Sequence, residues 1–158
     1  MLKISRLTDY GTVVLAHLAT HQAGVCSAAD VAQATGIAPP TVSKLLKLLA
    51  RAELVASTRG ANGGYRLSRP PQAVTAADII DALDGPVSIT ACSTAEGDCE
   101  HESVCTVGNA WQRINVAIRR ALQDVTLNDL VVSNGPVPTF RFAGVPIAVE
   151  NSTDKHGN

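Results

Sequence analysis

The order of short elements in the first half of the chain constrains its fold most. Ser27 and Asp30 have the spacing of a capping box, in which a hydroxyl and a carboxylate satisfy free backbone amides at a helix start. That helix is predicted to end at Gly36, and Pro39 and Pro40 then suit the first turn of another helix, where a missing N–H costs little. The pattern predicts two short helices joined by a tight turn.

The second of these helices is predicted to have one apolar side and one basic side. The apolar side carries Val42, Leu45, Leu46 and Leu49. The basic side carries Lys44, Lys47 and Arg51. Such a basic side is either a solvated surface or a surface for nucleic acid, and the helix alone does not decide between them.

A predicted hairpin follows at once. Residues 54–58 and 65–68 are β-prone, and residues 59–64 between them read Arg-Gly-Ala-Asn-Gly-Gly, in which Gly and Asn tolerate positive φ. Two helices around a turn, the second basic and followed by an arginine-tipped hairpin, are the parts of a winged helix-turn-helix. This order favours DNA binding over a merely solvated surface.

In that arrangement, the start of the basic helix enters the major groove of a double-stranded DNA operator. Thr41, Ser43 and Lys44 would face base edges, while Lys47 and Arg51 would hold phosphates. Arg59, beside Gly60 at the hairpin tip, has the length and permanent charge to enter a narrow minor groove.

The charge distribution agrees with this assignment. Residues 1–70 hold 8 of the 13 Lys and Arg but only 3 of the 14 Asp and Glu, which leaves 5 basic and 11 acidic residues for the remainder. A basic front half suits phosphates. No apolar run is long enough to cross a bilayer and no signal-peptide pattern is present, so a cytoplasmic, non-membrane protein is expected.

The rest of the chain is also predicted to be mainly helical, because aromatic residues make up only 3%. Helices are expected over 7–21, after Thr75, and over 107–125, the last with a long apolar stripe that packs within the chain or against a second subunit. The predicted domains are a winged helix-turn-helix (1–86), a cysteine loop (87–106), a dimerisation helix with a short C-terminal helix (107–132) and a disordered tail (133–158).

The cysteine loop has the spacing Cys92-x6-Cys99-x5-Cys105. Three thiolates on one loop could bind a metal, zinc would need His101 as a fourth ligand, and inert thiols are the remaining alternative. A thiol or metal enzyme is disfavoured because no Cys-x-x-Cys pair or general base accompanies the cysteines. Cys26 stands apart and is predicted to be a small packed residue.

Three motifs together resemble the Rrf2 family of bacterial iron–sulfur regulators over about residues 1–132: residues 7–11 (Leu-Thr-Asp-Tyr-Gly), residues 59–65, and three cysteines ahead of the helix with Trp111. The resemblance implies a homodimer whose long helices, here 107–125, cross between subunits. It implies Thr41, Ser43, Lys44 and Arg59 as DNA contacts. It also implies Cys92, Cys99 and Cys105 as ligands of a [2Fe–2S] or [4Fe–4S] cluster.

One departure leaves the fourth ligand open. IscR-like members carry a His three residues after the last cysteine, where this chain has Gly108. NsrR-like members use an Asp from the partner subunit, which makes Asp9 the first candidate and His101 the second, although Asp9 also suits a first helical turn electrostatically. The six-residue cysteine gap is most similar to regulators of the SUF assembly operon. A repressor that senses cluster status is therefore expected, with a nitric oxide sensor or a zinc-bound interaction module as alternatives.

Overall fold

The fold is that of a computed structural model, which describes residues 4–21, 23–60, 63–88, 107–132, 140–142 and 145–147. Four helices within residues 4–88 pack together into a unit called the head here, and a two-stranded hairpin and the 16-residue helix Gly108–Gln123 adjoin it. The helices are α1 (Arg6–Thr20), α2 (Ala28–Thr35), α3 (Pro39–Arg51), α4 (Ala76–Leu83), α5 (Gly108–Gln123) and α6 (Leu127–Val132). The strands are β1 (Val55–Thr58), β2 (Gly64–Leu67), β3 (Phe140–Phe142) and β4 (Val145–Ile147).

Local capping residues set the helix starts. In α2, the Ser27 hydroxyl accepts a hydrogen bond from the Asp30 amide at 3.1 Å, and the Asp30 carboxylate accepts one from the Ser27 amide at 3.0 Å. Thr75 and Asp78 form the same reciprocal box at α4, and Thr126 precedes α6 in the same way. The predicted helix starts are therefore confirmed to within a residue or two, because the caps are encoded locally.

The head has one apolar core between α1, α2, α3 and α4. The four residues predicted for the apolar side of α3 are all fully buried. They meet Val14, Leu15 and Leu18 of α1, Val31 of α2 and Ile79 of α4. The mainly helical winged helix-turn-helix predicted from the sequence is confirmed.

The hairpin is an antiparallel pair with Val55 opposite Leu67 and Thr58 opposite Gly64. Cys26 pairs with the other side of β2 as a single-residue β-bridge. Its amide donates to the Tyr65 carbonyl at 2.9 Å, and its carbonyl accepts from the Tyr65 amide at 2.8 Å. Gly64 permits this approach, since a Cβ at that position would lie 2.7 Å from the Cys26 carbonyl oxygen. The hairpin is thus attached directly to the start of α2.

The segment after α5 returns to the head. The Leu127 amide donates to the Val74 carbonyl at 2.7 Å, and the Ala76 amide donates to the Val125 carbonyl at 2.8 Å. Leu127 is fully buried in the core formed by the other helices. Helix α6, the short C-terminal helix predicted within residues 107–132, packs against the helices of the first 86 residues.

Within the predicted tail, β3 and β4 form an antiparallel pair with Phe140 opposite Ile147. Their sequence contains Phe, Val and Ile, which favour strands. Among the described residues, no helix has the length and apolar character that a membrane crossing requires.

Candidate nucleic-acid interface

Helix α3 divides its residues between the core and the surface. Lys44, Lys47 and Arg51 are exposed, and Thr41 and Ser43 flank them in partly exposed positions. Within the described part of the chain, none of the three cations takes part in an ion pair. The helix therefore presents a continuous basic surface, with hydroxyl side chains on either side of it near its first turn.

The start of α3 differs from the starts of the neighbouring helices. Its N-cap is Ala38, which provides no side-chain cap, and its first turn contains no acid. The first turns of α1, α2, α4 and α6 each contain an aspartate. Because a first-turn carboxylate would cancel the positive end of the helix dipole and repel phosphate, its absence at α3 keeps this end electropositive.

The hairpin extends the basic surface. Arg59 is exposed directly after β1, and Arg66 is exposed on β2. Gly60 has a φ of +115°, which side-chain-bearing residues rarely adopt, and the Gly63 amide closes the tip on the Gly60 carbonyl at 2.9 Å. The glycine thus turns the chain at the tip and leaves the adjacent Arg59 side chain free to project.

A groove between α1 and α3 adjoins the same surface. It is lined by Arg6, Leu7 and Tyr10 of α1 and by Pro40, Thr41 and Lys44 of α3. The sequence assigned roles to Thr41 and Lys44 but none to Arg6 or to the Tyr10 side chain. Their i, i+4 spacing puts them on one side of α1, although only the tertiary fold shows that this side meets α3.

Asp9 lies on α1 and is exposed. Its side chain takes part in no ion pair within the described residues. The other proposed ligands, Cys92, Cys99, Cys105 and His101, lie outside the described residues. Among the residues that are described, no group of three or more His, Cys, Asp and Glu is arranged to hold a metal ion.

Cys26 is buried beneath the hairpin, as predicted for a small packed residue. Burial raises the pKa of its thiol, and the neighbouring Asp30 carboxylate raises the pKa further. A neutral thiol in this position contributes to packing and does not act as a thiolate ligand.

Comparison with known proteins agrees with a DNA-binding role for this surface. Residues 4–133 match the Rrf2 family, described as "Iron-dependent Transcriptional regulator". The chain belongs to the Rrf2 family. It is accordingly a DNA-binding transcriptional regulator, as the α3 and hairpin geometry indicated.

Two kinds of relative stand out. The transcriptional regulator CymR of Bacillus subtilis is 36% identical over 143 residues, which cover 89% of this chain and 99% of CymR. IscR of Vibrio cholerae is 32% identical over 133 residues, or 82% of this chain and 76% of IscR.

Solved structures give the same two relatives. The structure of CymR, "the Global Cysteine Regulator of B. subtilis", superposes with a TM-score of 0.66 at 35% identity and covers 85% of this chain and all of CymR. T. potens IscR superposes with a TM-score of 0.61 at 30% identity, covering 82% of this chain and 86% of IscR.

Proposed function

We propose that this Rrf2 regulator is a homodimeric repressor that binds a double-stranded DNA operator and senses iron–sulfur cluster status to control SUF assembly genes. The observation that carries the DNA-binding part is the basic side of α3, on which Lys44 and Lys47 are exposed behind a first turn without an acid. A helix with such a basic side fits the major groove, and its side chains can contact the phosphates that border the groove.

In this proposal each element reads a different feature of the duplex. Thr41, Ser43 and Lys44 face base edges in the major groove, and Lys47 contacts the flanking backbone. Arg59, turned outward by Gly60, enters the adjacent minor groove, where a narrow A·T-rich segment has the most negative potential. The bridge between Tyr65 and Cys26 attaches the hairpin that carries this arginine to the start of α2.

The proposed dimer rests on the exposed face of α5. No residue of this 16-residue helix is buried. Trp111 is 41% exposed and Ile114 is 44% exposed, and Val107 and Val125, which flank the helix, are exposed as well. A large unpaired apolar stripe of this kind is costly in water and is best covered by the same stripe of a second copy, which is how two-fold symmetric interfaces form.

The proposed cluster ligands are the thiolates of Cys92, Cys99 and Cys105, with the Asp9 carboxylate of the partner subunit as the fourth. Thiolates are the usual ligands of iron–sulfur clusters, and the exposed Asp9 side chain is free to accept a fourth coordination role. When bound, the cluster supplies a redox-labile, oxygen-sensitive centre. The thiolates would hold it on one subunit, and Asp9 would connect it to α1 of the other.

Spectroscopy and DNA binding together test this proposal. Protein purified anaerobically should show visible absorption of an iron–sulfur cluster, and Cys92→Ala should remove it, whereas the matched Cys26→Ala should retain it. Footprinting should locate an operator upstream of SUF assembly genes, with occupancy that differs between loaded protein and Cys92→Ala. A colourless protein, or equal operator control by the parent and Cys92→Ala, would rule out cluster sensing.

The similarity to CymR favours a second candidate, a regulator of cysteine metabolism, because this chain covers almost all of that protein. A nitric oxide sensor remains an alternative on account of Asp9, and a zinc-bound interaction module on account of His101. Target genes separate the three regulatory candidates, since assembly, cysteine and detoxification genes are different sets. Metal analysis that found zinc without iron, together with a failure to bind DNA, would indicate the interaction module.

A further inference from the structure

We infer that the groove between α1 and α3 binds a backbone phosphate of DNA through Arg6 and Tyr10 together with Lys44. The inference rests on the proposed DNA-binding surface and extends it to a helix outside the helix-turn-helix. It assigns a role to the Arg6 and Tyr10 side chains, for which the sequence gave no function. The ligand chemistry is a phosphodiester monoanion, recognised by its charge and its oxygens and not by base sequence.

The charges around the groove favour an anion. Arg6 and Lys44 line it from opposite helices, and Tyr10 and Thr41, which each carry a hydroxyl group, are also among its lining residues. Neither cation has an ion-pair partner within the described residues. Asp84, which directly follows α4, accepts hydrogen bonds from the Ser5 hydroxyl at 2.6 Å and the Ser5 amide at 3.3 Å. Asp9 lies one turn from Arg6 on α1, but it is not among the residues that line the groove.

The backbone of α3 explains why a second helix is needed. Helix starts often bind phosphate through free amides. Here Pro39 and Pro40 have no N–H, and the amides of Thr41 and Val42 both donate to the Ala38 carbonyl, at 2.9 and 3.1 Å. The first turn of α3 therefore offers no free donor of its own, and side chains from α1 are positioned to provide donors instead.

The position of Arg6 is unfavourable for helix stability alone. It is the first residue of α1, where the helix dipole favours acids and disfavours cations. The Ser5–Asp84 hydrogen bonds anchor the preceding residue to the end of α4 and so fix the direction in which α1 begins. This cation lies beside the end of α3 that would enter the major groove of DNA. It is therefore suited to bind a phosphate of the DNA strand that borders the major groove.

Salt-dependent binding tests the inference without knowledge of the operator. The probe is a mixed-sequence duplex of about 30 base pairs, titrated with full-length protein across a series of salt concentrations. Arg6→Gln should weaken binding about fivefold to tenfold near 0.1 M salt and lower the slope of log K against log salt by about one. Arg6→Lys should keep most of the slope, and Tyr10→Phe should weaken binding about two- to fivefold.

Arg113→Gln is the matched control, because it removes the same charge from an exposed position on α5 and should leave the slope unchanged. If the parent binds DNA and Arg6→Gln binds with the same affinity and slope, the inference is wrong while the proposed function stands. If the parent does not bind DNA at all, the proposed function fails first. A second assay adds inorganic phosphate at about 10 mM and measures the melting temperature, which a weakly bound ligand raises slightly. If phosphate raises the melting temperature of the parent but not of Arg6→Gln, while the two proteins bind DNA equally, then the groove binds free anions and the DNA assignment is overturned.

Discussion

Arg119 of α5 donates two hydrogen bonds to the Asp81 carboxylate of α4, from Nη1 to Oδ1 at 3.2 Å and from Nη2 to Oδ2 at 2.5 Å. Asp81 Oδ1 also accepts a hydrogen bond from the Val87 amide at 3.4 Å. One carboxylate thus holds the long helix and the chain segment directly ahead of the cysteine residues against the head. Asp81 of α4 is therefore a junction between the head, α5 and residue Val87.

Asp81→Asn should loosen this junction. The partly exposed pair loses its charge, so the free energy of unfolding should fall by about 0.5–1 kcal/mol. Because the loss is local, amide hydrogen exchange should speed up in α5 before it does in α1. The measurement is urea denaturation combined with hydrogen exchange followed by mass spectrometry.

Asp124→Asn is the control for this junction, because it removes a carboxylate that is exposed at the end of α5 and has no ion-pair partner in the described residues. It should leave the exchange rates of α5 close to those of the parent. Equal exchange in α5 for the parent and Asp81→Asn would mean that the Arg119 pair does not hold the helix in place.

Ile114→Asp should convert the proposed dimer to a monomer. Ile114 is 44% exposed, so the head should stay folded, but a buried carboxylate in a two-fold interface would be repeated in both subunits and left unpaired. Sedimentation velocity should show half the mass. Emission from Trp111, the one tryptophan of the chain, should shift to longer wavelength as water reaches it.

Val116→Asp provides a matched comparison, since Val116 is 46% exposed but lies about 200° around the helix from Ile114. It should remain dimeric. A dimer in both variants would place the interface elsewhere, and a monomer in both would mean that any acid on α5 disrupts association.

The sequence was sufficient where one segment determines its own structure. The Ser27 and Thr75 caps and the apolar side of α3 depend on residues within one or two turns, so their prediction was confirmed. Contacts between distant segments were missed. Neither the Cys26–Tyr65 bridge nor the return of Leu127 to the core has a local signal, because each depends on how separate elements pack.

The same distinction between local and long-range contacts applies to the candidate site. Lys44, Lys47 and Arg59 follow a readable order of helix, turn and hairpin, so the exposure of all three could be expected. The approach of Arg6 and Tyr10 to Lys44 follows from the crossing of α1 and α3, which no spacing within either helix reveals.

Arg59→Ala should weaken DNA binding without disturbing the fold. Arg59 is exposed, so it should contribute little to the stability of the free protein. A minor-groove contact, however, should contribute about 1–3 kcal/mol to the free energy of DNA binding. The loss should be larger for a duplex with an A·T-rich segment beside the major-groove site than for one with G·C pairs there, because the narrow groove has the stronger potential.

Binding should be measured by fluorescence anisotropy at one fixed salt concentration. Arg113→Ala on α5 serves as the reference for the loss of one charge. If Arg59→Ala and Arg113→Ala lose equally little affinity on both duplexes, Arg59 is not part of the interface.

His17 should make the stability of the head depend on pH. Burial lowers the pKa of its imidazole, and the neighbouring His21 lowers it further, at a ring separation of 4.3 Å, while Asp30 acts in the opposite direction. The folded state therefore binds this proton less readily than the unfolded state does. The stability linked to His17 is present above the unfolded pKa of about 6.5 and is lost as the pH falls through it toward the folded value.

Urea denaturation of the full-length chain between pH 7.5 and 5 measures this effect. His17→Gln should show a flatter pH dependence than the parent in that window. His21→Gln removes only the secondary cause, so it should flatten the dependence less. The stability linked to Asp30 and Asp84 is lost only at lower pH, because the pKa of each carboxyl group is below its usual value. For Asp30 the cause is the hydrogen bonds accepted from Ser27; for Asp84 burial raises the pKa, but the hydrogen bonds that the carboxylate accepts outweigh it. A pH dependence between 7.5 and 5 that is the same in His17→Gln and the parent would show that another group titrates there.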